Sequence, residues 1–177
     1  MFGSRLKCSR TRRLKAVEHN LSTMTPVIHL ADFHVSSLHL TYVEPSSGID
    51  GHIVGTKSGF DYDIAKKHDS NVSYRLKLIH NFQEFDAEDK PLGCKLKVTI
   101  TGLFEFPEDS EDESRDALIR LNGVSILYGI LRGVVATVSG LQPGGKITLP
   151  AIMPQEIVRM VEDGKKERAT AETQSKE

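Results

Sequence analysis

The spacing of apolar residues changes near residue 110 of this chain. Before that point, four segments alternate apolar and polar residues with a period of two, which is the pattern of strands with one buried face. These segments span residues 27–44, 52–64, 71–82 and 92–106. Short polar connections separate them, and none has room for a crossover helix. The pattern predicts four consecutive antiparallel strands arranged as a meander.

The first of these strands changes phase along its length. Ile28 and Leu30 are apolar on even positions, Phe33 and Val35 on odd positions, and the parity switches again after Ser36. A period-two pattern can change phase only if a side chain moves to the other face of the sheet. We therefore expect a β-bulge near Ser36, which inserts one residue and redirects the strand.

Beyond residue 110, apolar residues recur at helical spacing. Ser110 and Glu113 have the spacing of a capping box, so we expect a first, short helix over residues 111–121. The pair Asn122 and Gly123 favours a break, because both residues tolerate left-handed backbone geometry.

A second, longer helix is expected to run from this break to about residue 139. Its apolar residues form a stripe at i, i+3/i+4 spacing, and Gly129 and Gly133 lie opposite that stripe. An interior glycine costs roughly 0.5–1 kcal/mol relative to alanine, which makes sense if another backbone approaches closely there. A final helix is expected from Pro154 to about residue 162. The elements together predict an α+β fold, in which a short helix and a long helix pack on a four-stranded antiparallel sheet.

Composition limits the class of protein. The 177 residues are enough for one domain with a sizeable core, and the net charge of −1 indicates no global electrostatic partner. Residues 1–25 are basic and residues 163–177 are charged, both without clear periodicity, so we expect disordered extensions on either side of a domain spanning residues 26–162. Met24 is a candidate for the true translation start. A nucleic-acid-binding arm is the alternative for residues 1–25, but no aromatic residues are interleaved with its cations.

The cysteine content and the N-terminus favour a cytoplasmic protein. Cys8 and Cys94 are too few for a disulfide framework or a cysteine zinc site. The basic N-terminus is not followed by an apolar segment, so no secretory signal peptide is expected. Residues 123–141 have about the length of a membrane span, but Arg132 lies in the middle of that run, and we expect a core helix without membrane insertion.

No catalytic motif is apparent in the sequence. The patterns of nucleotide-binding loops, serine nucleophiles and zinc metalloproteases are absent. The strand histidines are expected to be exposed, and His34 and His39 would need a third ligand to bind a metal. Cys94 has the apolar parity of its strand, which indicates a core thiol rather than a nucleophile. We therefore expect no enzyme activity, no metal and no cofactor.

The order of elements and two short motifs resemble the SecB export chaperone family. The sequence ILYGILRGVV at residues 126–135 is similar to the long-helix pattern I-L-[FY]-P-Y-A-R-E-V-V of that family. The sequence GLF at residues 102–104 resembles the end of its fourth strand, and the Leu149-Pro150 pair lies where the family has an extended segment. The resemblance covers roughly residues 26–160.

This resemblance implies an ATP-independent holdase, which is a homotetramer built as a dimer of dimers and binds unfolded polypeptide through apolar grooves. The surplus of apolar and aromatic residues agrees with such a role. We assign client binding to Leu40, Tyr42, Phe60, Tyr62, Leu127, Tyr128 and Leu131. We assign the oligomer interface to Phe33, Val35, Leu118, Leu121, Gly129 and Gly133.

Two positions depart from the export family. Family members dock on the SecA motor through carboxylates of the exposed sheet face, whereas this chain has Lys97 at one such position and His39 where another acid is expected. Like charges would oppose that docking. We therefore expect the chaperone of a toxin–antitoxin–chaperone system, whose client is an antitoxin segment. An export chaperone and a structural oligomeric subunit remain the alternatives, and the sequence does not identify the client.

Overall fold

The period-two segments form four strands of one antiparallel sheet, and the helical segments pack on one of its faces. The computed structural model describes residues 27–44 and 53–174. The strands are β1 (His29–Val43), β2 (Gly55–Lys66), β3 (Ser73–Phe85) and β4 (Pro91–Glu105). The helices are α1 (Asp112–Leu118), α2 (Val124–Ser139) and α3 (Pro154–Gln174). The predicted α+β class is confirmed, while the predicted extension at residues 1–25 lies outside the described residues, as does Met24.

The strand order in the sheet is β1-β4-β3-β2. Strands β2, β3 and β4 form the predicted meander, but the meander is wrong for β1, which pairs with β4 at the opposite edge from β2. The order is that of a Greek key. Residues 44–54 connect β1 to β2, and a fully extended chain of that length reaches about 35 Å, against about 14 Å across three strand spacings. The connection is therefore long enough for β1 to pair with either β2 or β4.

The predicted bulge at Ser36 is confirmed. The β1–β4 register shifts between Val35 and Ser37, and a second shift lies between Leu30 and Asp32. The Ser36 hydroxyl lies 2.5 Å from the Thr101 hydroxyl of β4. The two shifts let β1 keep apolar side chains on one face despite the change of phase in the sequence.

The predicted break at Asn122 and Gly123 is wrong. The chain stays helical from α1 into α2 through a π-helical turn at Ile119–Gly123. Gly123 has φ −60°, and a Cβ atom there would lie 3.1 Å from Leu76 Cδ2 and 3.0 Å from Ile119 Cδ1. This glycine is therefore required by close packing on β3 and not by a left-handed turn.

The predicted capping box is also wrong. The N-cap of α1 is Glu111, and no side chain caps it. The Ser110 hydroxyl instead accepts a 2.8 Å hydrogen bond from Nε of Arg115, a buried side chain that also donates to the carbonyl oxygens of Asn71 and Glu108 at 3.0 Å each. This arginine joins the start of α1 to the loop between β2 and β3.

Helix α3 extends beyond its predicted end. It continues to Gln174, so the expected disorder from residue 163 is wrong up to that point, and residues 175–177 lie outside the described part of the chain. Ile157 and Val161 of α3 are buried in the core. The Tyr62 hydroxyl donates to Glu162, and Lys165 Nζ donates to the Tyr62 carbonyl at 3.0 Å. These contacts hold α3 on β2 and keep it helical past residue 164.

The hydrophobic core lies between the helices and the inner face of β2, β3 and β4. Helix α2 packs on β3 and β4, and α3 packs on β2. Cys94 is completely buried there, and burial raises the pKa of its thiol to about 11, which confirms the core thiol. The 28-residue helical run Asp112–Ser139 has the length and composition of a membrane span, but Leu131 and Val135 pack in the core as in a globular protein.

Candidate functional site

The inner face of β1 carries an exposed apolar strip. Phe33, Val35 and Leu38 expose 47%, 40% and 37% of their surface, and we call these three residues the β1 strip. They are paired across the strands with Gly102, Ile100 and Val98 of β4, all of which are buried. The β1 strip is thus an uncovered continuation of the core face. Contiguous exposed apolar surface of this kind marks an interaction site.

The strip ends where the chain after α2 covers β1. Leu40 and Tyr42 continue the same face and are half-buried. A Cβ atom on Gly144 would lie 2.7 Å from the Tyr42 ring, so the segment after α2 runs directly over that ring. Two of the predicted client-binding residues therefore adjoin the strip and leave part of their surface available.

Four other predicted client-binding residues belong to the core. Leu127 and Leu131 are completely buried, and Tyr62 and Tyr128 nearly so. The Tyr128 hydroxyl donates to the Pro150 carbonyl at 2.6 Å. Burial raises the pKa of Tyr128, and burial together with the bond to a carboxylate raises the pKa of Tyr62 to about 12. These four side chains cannot contact a client in this conformation, because their surface is taken up by the fold.

Phe60 lies apart from the β1 strip. It is half-buried on β2, stacks on the His80 ring with a centroid distance of 4.6 Å, and meets the Tyr128 ring edge-on at 5.6 Å. Strands β3 and β4 separate it from β1. The predicted client-binding residues that keep some exposed surface therefore lie at opposite edges of the sheet, Leu40 and Tyr42 on β1 and Phe60 on β2.

The predicted oligomer-interface residues are also divided. Phe33 and Val35 form part of the β1 strip, and Leu118 and Leu121 are half-buried in the helical run. Gly129 and Gly133 are exposed on the outward face of α2, where a Cβ atom would meet nothing within 4 Å. Within residues 27–44 and 53–174 no backbone approaches the two glycines, so the predicted close approach remains a prediction about a second copy.

The exposed outer face of the sheet is polar. His34 and His39, which the sequence analysis considered as metal ligands, lie on this face. Among residues 27–44 and 53–174, no group of three or more His, Cys, Asp or Glu side chains could hold a metal ion. His80 corrects the expectation of exposed strand histidines: it is completely buried, and burial lowers its pKa to about 4. His80 continues the alternation of Tyr74, Leu76 and Leu78, and this spacing indicates a buried position.

Two features were not assigned from the sequence. Leu38 was left out of both predicted sites, although the phase change after Ser36 places it on the face of Leu40 and Tyr42. Lys97 was interpreted without Lys95, although the two lysines alternate with buried residues and must share one exposed face. In both cases the alternation of apolar and polar residues along the strand indicates the face on which the side chain lies.

Comparison with solved structures relates this arrangement to a chaperone. The Rv1957 SecB-like chaperone of Mycobacterium tuberculosis, in complex with a ChAD peptide from the HigA1 antitoxin, superposes with a TM-score of 0.55 and 12% sequence identity. The match covers 71% of this chain and 90% of that one. The chain shares its fold with this SecB-like chaperone.

Other comparisons add little to this likeness. A protein of unknown function from Streptococcus agalactiae superposes with a TM-score of 0.38 and 11% identity, covering 70% of this chain and 97% of that one, which is too low to bear on the fold. No family model and no curated protein matches the chain. The shared fold and the geometry described above are therefore the basis for any functional conclusion.

Proposed function

We propose that this protein is an ATP-independent chaperone that binds non-native polypeptide, with an antitoxin segment as its dedicated client. The observation that carries the proposal is the β1 strip, in which three neighbouring large apolar side chains lie uncovered on the core face of the sheet. A holdase needs such a surface and no catalytic group, because it acts by mass action on the non-native state.

The position of the strip favours a polypeptide over a small apolar ligand. Strand β1 is an edge strand, so backbone groups on its outer side have no partner strand in the described sheet. An extended polypeptide can pair with such an edge while its side chains contact the neighbouring apolar surface. The β1 strip and the β1 edge together offer both kinds of contact along one strand.

The expected strength of one site is modest. Burying one Leu or Phe side chain of a client contributes roughly 1.5–3 kcal/mol, and ordering the client offsets much of that. Several such sites on one oligomer gain by effective concentration. A tetramer, built as a dimer of dimers, would therefore bind a long unfolded chain far more tightly than one protomer does.

The outward face of α2 is the surface that we propose for this oligomer. Gly129 and Gly133 are spaced i, i+4 on that face, and Ser125 and Thr137 extend the row of small residues in both directions. A row of this kind allows a second helix to approach closely. Phe33 and Val35, which the sequence assigned to the interface, are reassigned to client binding because they belong to the β1 strip.

Two observations support an antitoxin client in the cytoplasm over export through SecA. The SecB-like chaperone that shares this fold was solved with an antitoxin peptide bound. On the outer face of the sheet, Lys97 is exposed beside His39, so the charge at the proposed motor-docking position is positive and not negative. Docking of a motor through a positively charged tail would meet like charge.

Suppression of aggregation tests the proposal directly. A chemically denatured protein is diluted into buffer with and without this protein, in the absence of nucleotide, and light scattering is followed. We expect scattering to fall as the chaperone approaches one oligomer per client, with no further change on adding ATP. If several unrelated denatured proteins and an antitoxin segment all aggregate as fast with the protein as without it, the chain is a structural subunit and the proposal is wrong.

A further inference from the structure

The outer face of the sheet carries two adjacent rows of side chains that cross all four strands. One row is Lys57, Gln83, Lys95 and Thr41, and the next is Gly59, Asn81, Lys97 and His39. Neither row contains a carboxylate. Lysines, amides and a hydroxyl are all hydrogen-bond donors, so this part of the sheet presents donors and positive charge. We call these eight residues the lysine patch.

Two of the three lysines in the patch have no ion-pair partner in the described part of the chain. Lys57 Nζ forms an ion pair with Asp89 at 2.7 Å, beside the patch. Among the residues that the structure describes, Lys95 and Lys97 make no ion pair with any carboxylate. Both are exposed, while Leu96 between them is buried in the core. The two lysines are therefore fixed at their Cα atoms by the central strand β4, and their charges remain available.

A shallow depression of about 360 Å³ lies within the patch. Lys57, Gly59, Asn81, Gln83, Lys95 and Lys97 line it together with Ser58, Phe82 and Leu96, so it offers some apolar surface beside the lysines. Gly59 contributes to it because a Cβ atom there would meet nothing within 4 Å, so the surface has room at that point. This volume lies at the lower end of the range for small binding sites.

The spacing of the charges fits an extended chain. Residues two apart on one strand face place their side chains about 6.6–6.8 Å apart, which is the separation of Lys95 and Lys97. An extended peptide with carboxylates at alternate positions repeats at the same distance. Lys57 lies two strand spacings from Lys95, about 10 Å across the sheet, and its charge is already paired with Asp89, so Lys95 and Lys97 set the expected spacing.

We propose that the lysine patch binds an extended acidic segment of a partner protein, with Asp or Glu at alternate positions. Nucleic acid fits less well, because neither row contains a Phe, Tyr or Trp side chain, and the Phe85 ring beside them is covered by the Lys57 ammonium group, 4.2 Å from the ring centroid. The patch and the β1 strip lie on opposite faces of the sheet. One protomer can therefore hold an apolar segment and an acidic segment at the same time, and the proposal stands independently of the chaperone assignment.

Fluorescence anisotropy of a labelled peptide with alternating Glu and Ser residues tests this binding. We expect saturable binding to the wild-type protein that weakens as salt is added, and a loss of about tenfold in affinity in Lys95→Glu with Lys97→Glu. The control is Lys146→Glu, an exposed lysine outside the sheet, which is compared with the single variants Lys95→Glu and Lys97→Glu because each of the three has the same change of charge. Lys95→Gln with Lys97→Gln repeats the test without introduced repulsion, and circular dichroism checks the fold of each variant.

Four outcomes would overturn the proposal. An equal loss in Lys146→Glu would show an effect of net charge alone. Equal binding of a peptide of the same composition with its glutamates in one block would contradict the alternate spacing. Tighter binding of a single-stranded oligonucleotide of equal charge, lost in the same double variant, would make the patch a nucleic-acid surface. Concentration-dependent self-association that the double variant abolishes would make it an interface between copies.

Discussion

Replacing Phe33 and Leu38 by serine removes both ends of the β1 strip. Their exposed fractions, 47% and 37%, correspond together to about 150 Å² of apolar surface that a client can cover. At about 25 cal/mol per Å² this surface is worth up to about 4 kcal/mol. Ordering of the client offsets roughly half of that. We therefore expect client affinity per site to fall by about 2 kcal/mol, or thirtyfold.

The double variant has a matched control. Met160 on α3 exposes 47% of its surface, as Phe33 does, but lies on the helix that packs on β2 at the other edge of the sheet. Met160→Ser removes about as much exposed apolar area as the Phe33 substitution alone, and it should leave client affinity unchanged. Phe33 and Leu38 also contact the protein, so the double variant should lower the free energy of unfolding by about 1–3 kcal/mol, and denaturant titration must show that it is folded at the assay temperature.

Fluorescence anisotropy of a labelled, permanently unfolded client measures the client affinity of the double variant and of Met160→Ser. Each variant is titrated at a fixed client concentration, and sedimentation velocity records its oligomeric state. A folded double variant that binds the client as tightly as the wild type would refute the role of the β1 strip. An equal loss in Met160→Ser would show that exposed apolar area matters wherever it lies, which would also refute the assignment to β1.

Three further predictions concern the helix face, a buried imidazole and a buried guanidinium. Gly129→Leu should leave the protomer folded, because no atom of the described residues lies within 4 Å of a Cβ there, but should shift sedimentation towards smaller species if α2 packs on a second copy. His80 has its pKa lowered to about 4 by burial, so below pH about 6.5 the unfolded chain binds a proton that the folded chain does not. Stability should therefore fall by up to about 3 kcal/mol between pH 6.5 and 4, and His80→Phe should flatten this part of the pH profile of unfolding midpoints. Arg115→Met should lower the free energy of unfolding by about 3 kcal/mol, because it leaves buried carbonyl groups without donors, and thermal denaturation would show no change if those bonds were dispensable.

Strand alternation predicted local structure well because it depends on a single buried face. The bulge at Ser36, the core position of Cys94 and the α+β class all follow from that constraint. The neighbour of β1 could not be predicted in the same way. Residues 44–54 are long enough to reach either side of the sheet, so the meander was only the shortest of the possible connections.

Glycines were the second source of error, because one residue type serves several physical needs. Gly123 was interpreted as a break, and it is instead a helical residue that lets the π-helical turn approach β3. Gly129 and Gly133 are also interior helix glycines, but among the described residues a Cβ atom on either would meet nothing within 4 Å. The sequence shows a glycine at each of these positions but not whether close packing requires it.

The candidate site was predicted only in part because apolar parity does not show which positions the helices cover. Leu127 and Leu131 belong to the side of α2 that packs on the sheet and are buried in the core, while Phe33 and Leu38 lie on the sheet face beyond the helix and remain exposed. The coverage depends on the placement of α2 over β3 and β4, which is a tertiary property. The alternation within one strand gives no information about where α2 is placed on the sheet.

Hydrogen exchange in the presence of a client tests the central claim most directly. Amide exchange is measured for the protein alone, with an unfolded polypeptide, and with the same polypeptide folded as a control. The unfolded client should slow exchange in His29–Val43, through contact with the β1 strip and its edge, while α3 exchanges as before. Unchanged exchange in β1 while the client is bound would show that β1 is not the client-binding surface.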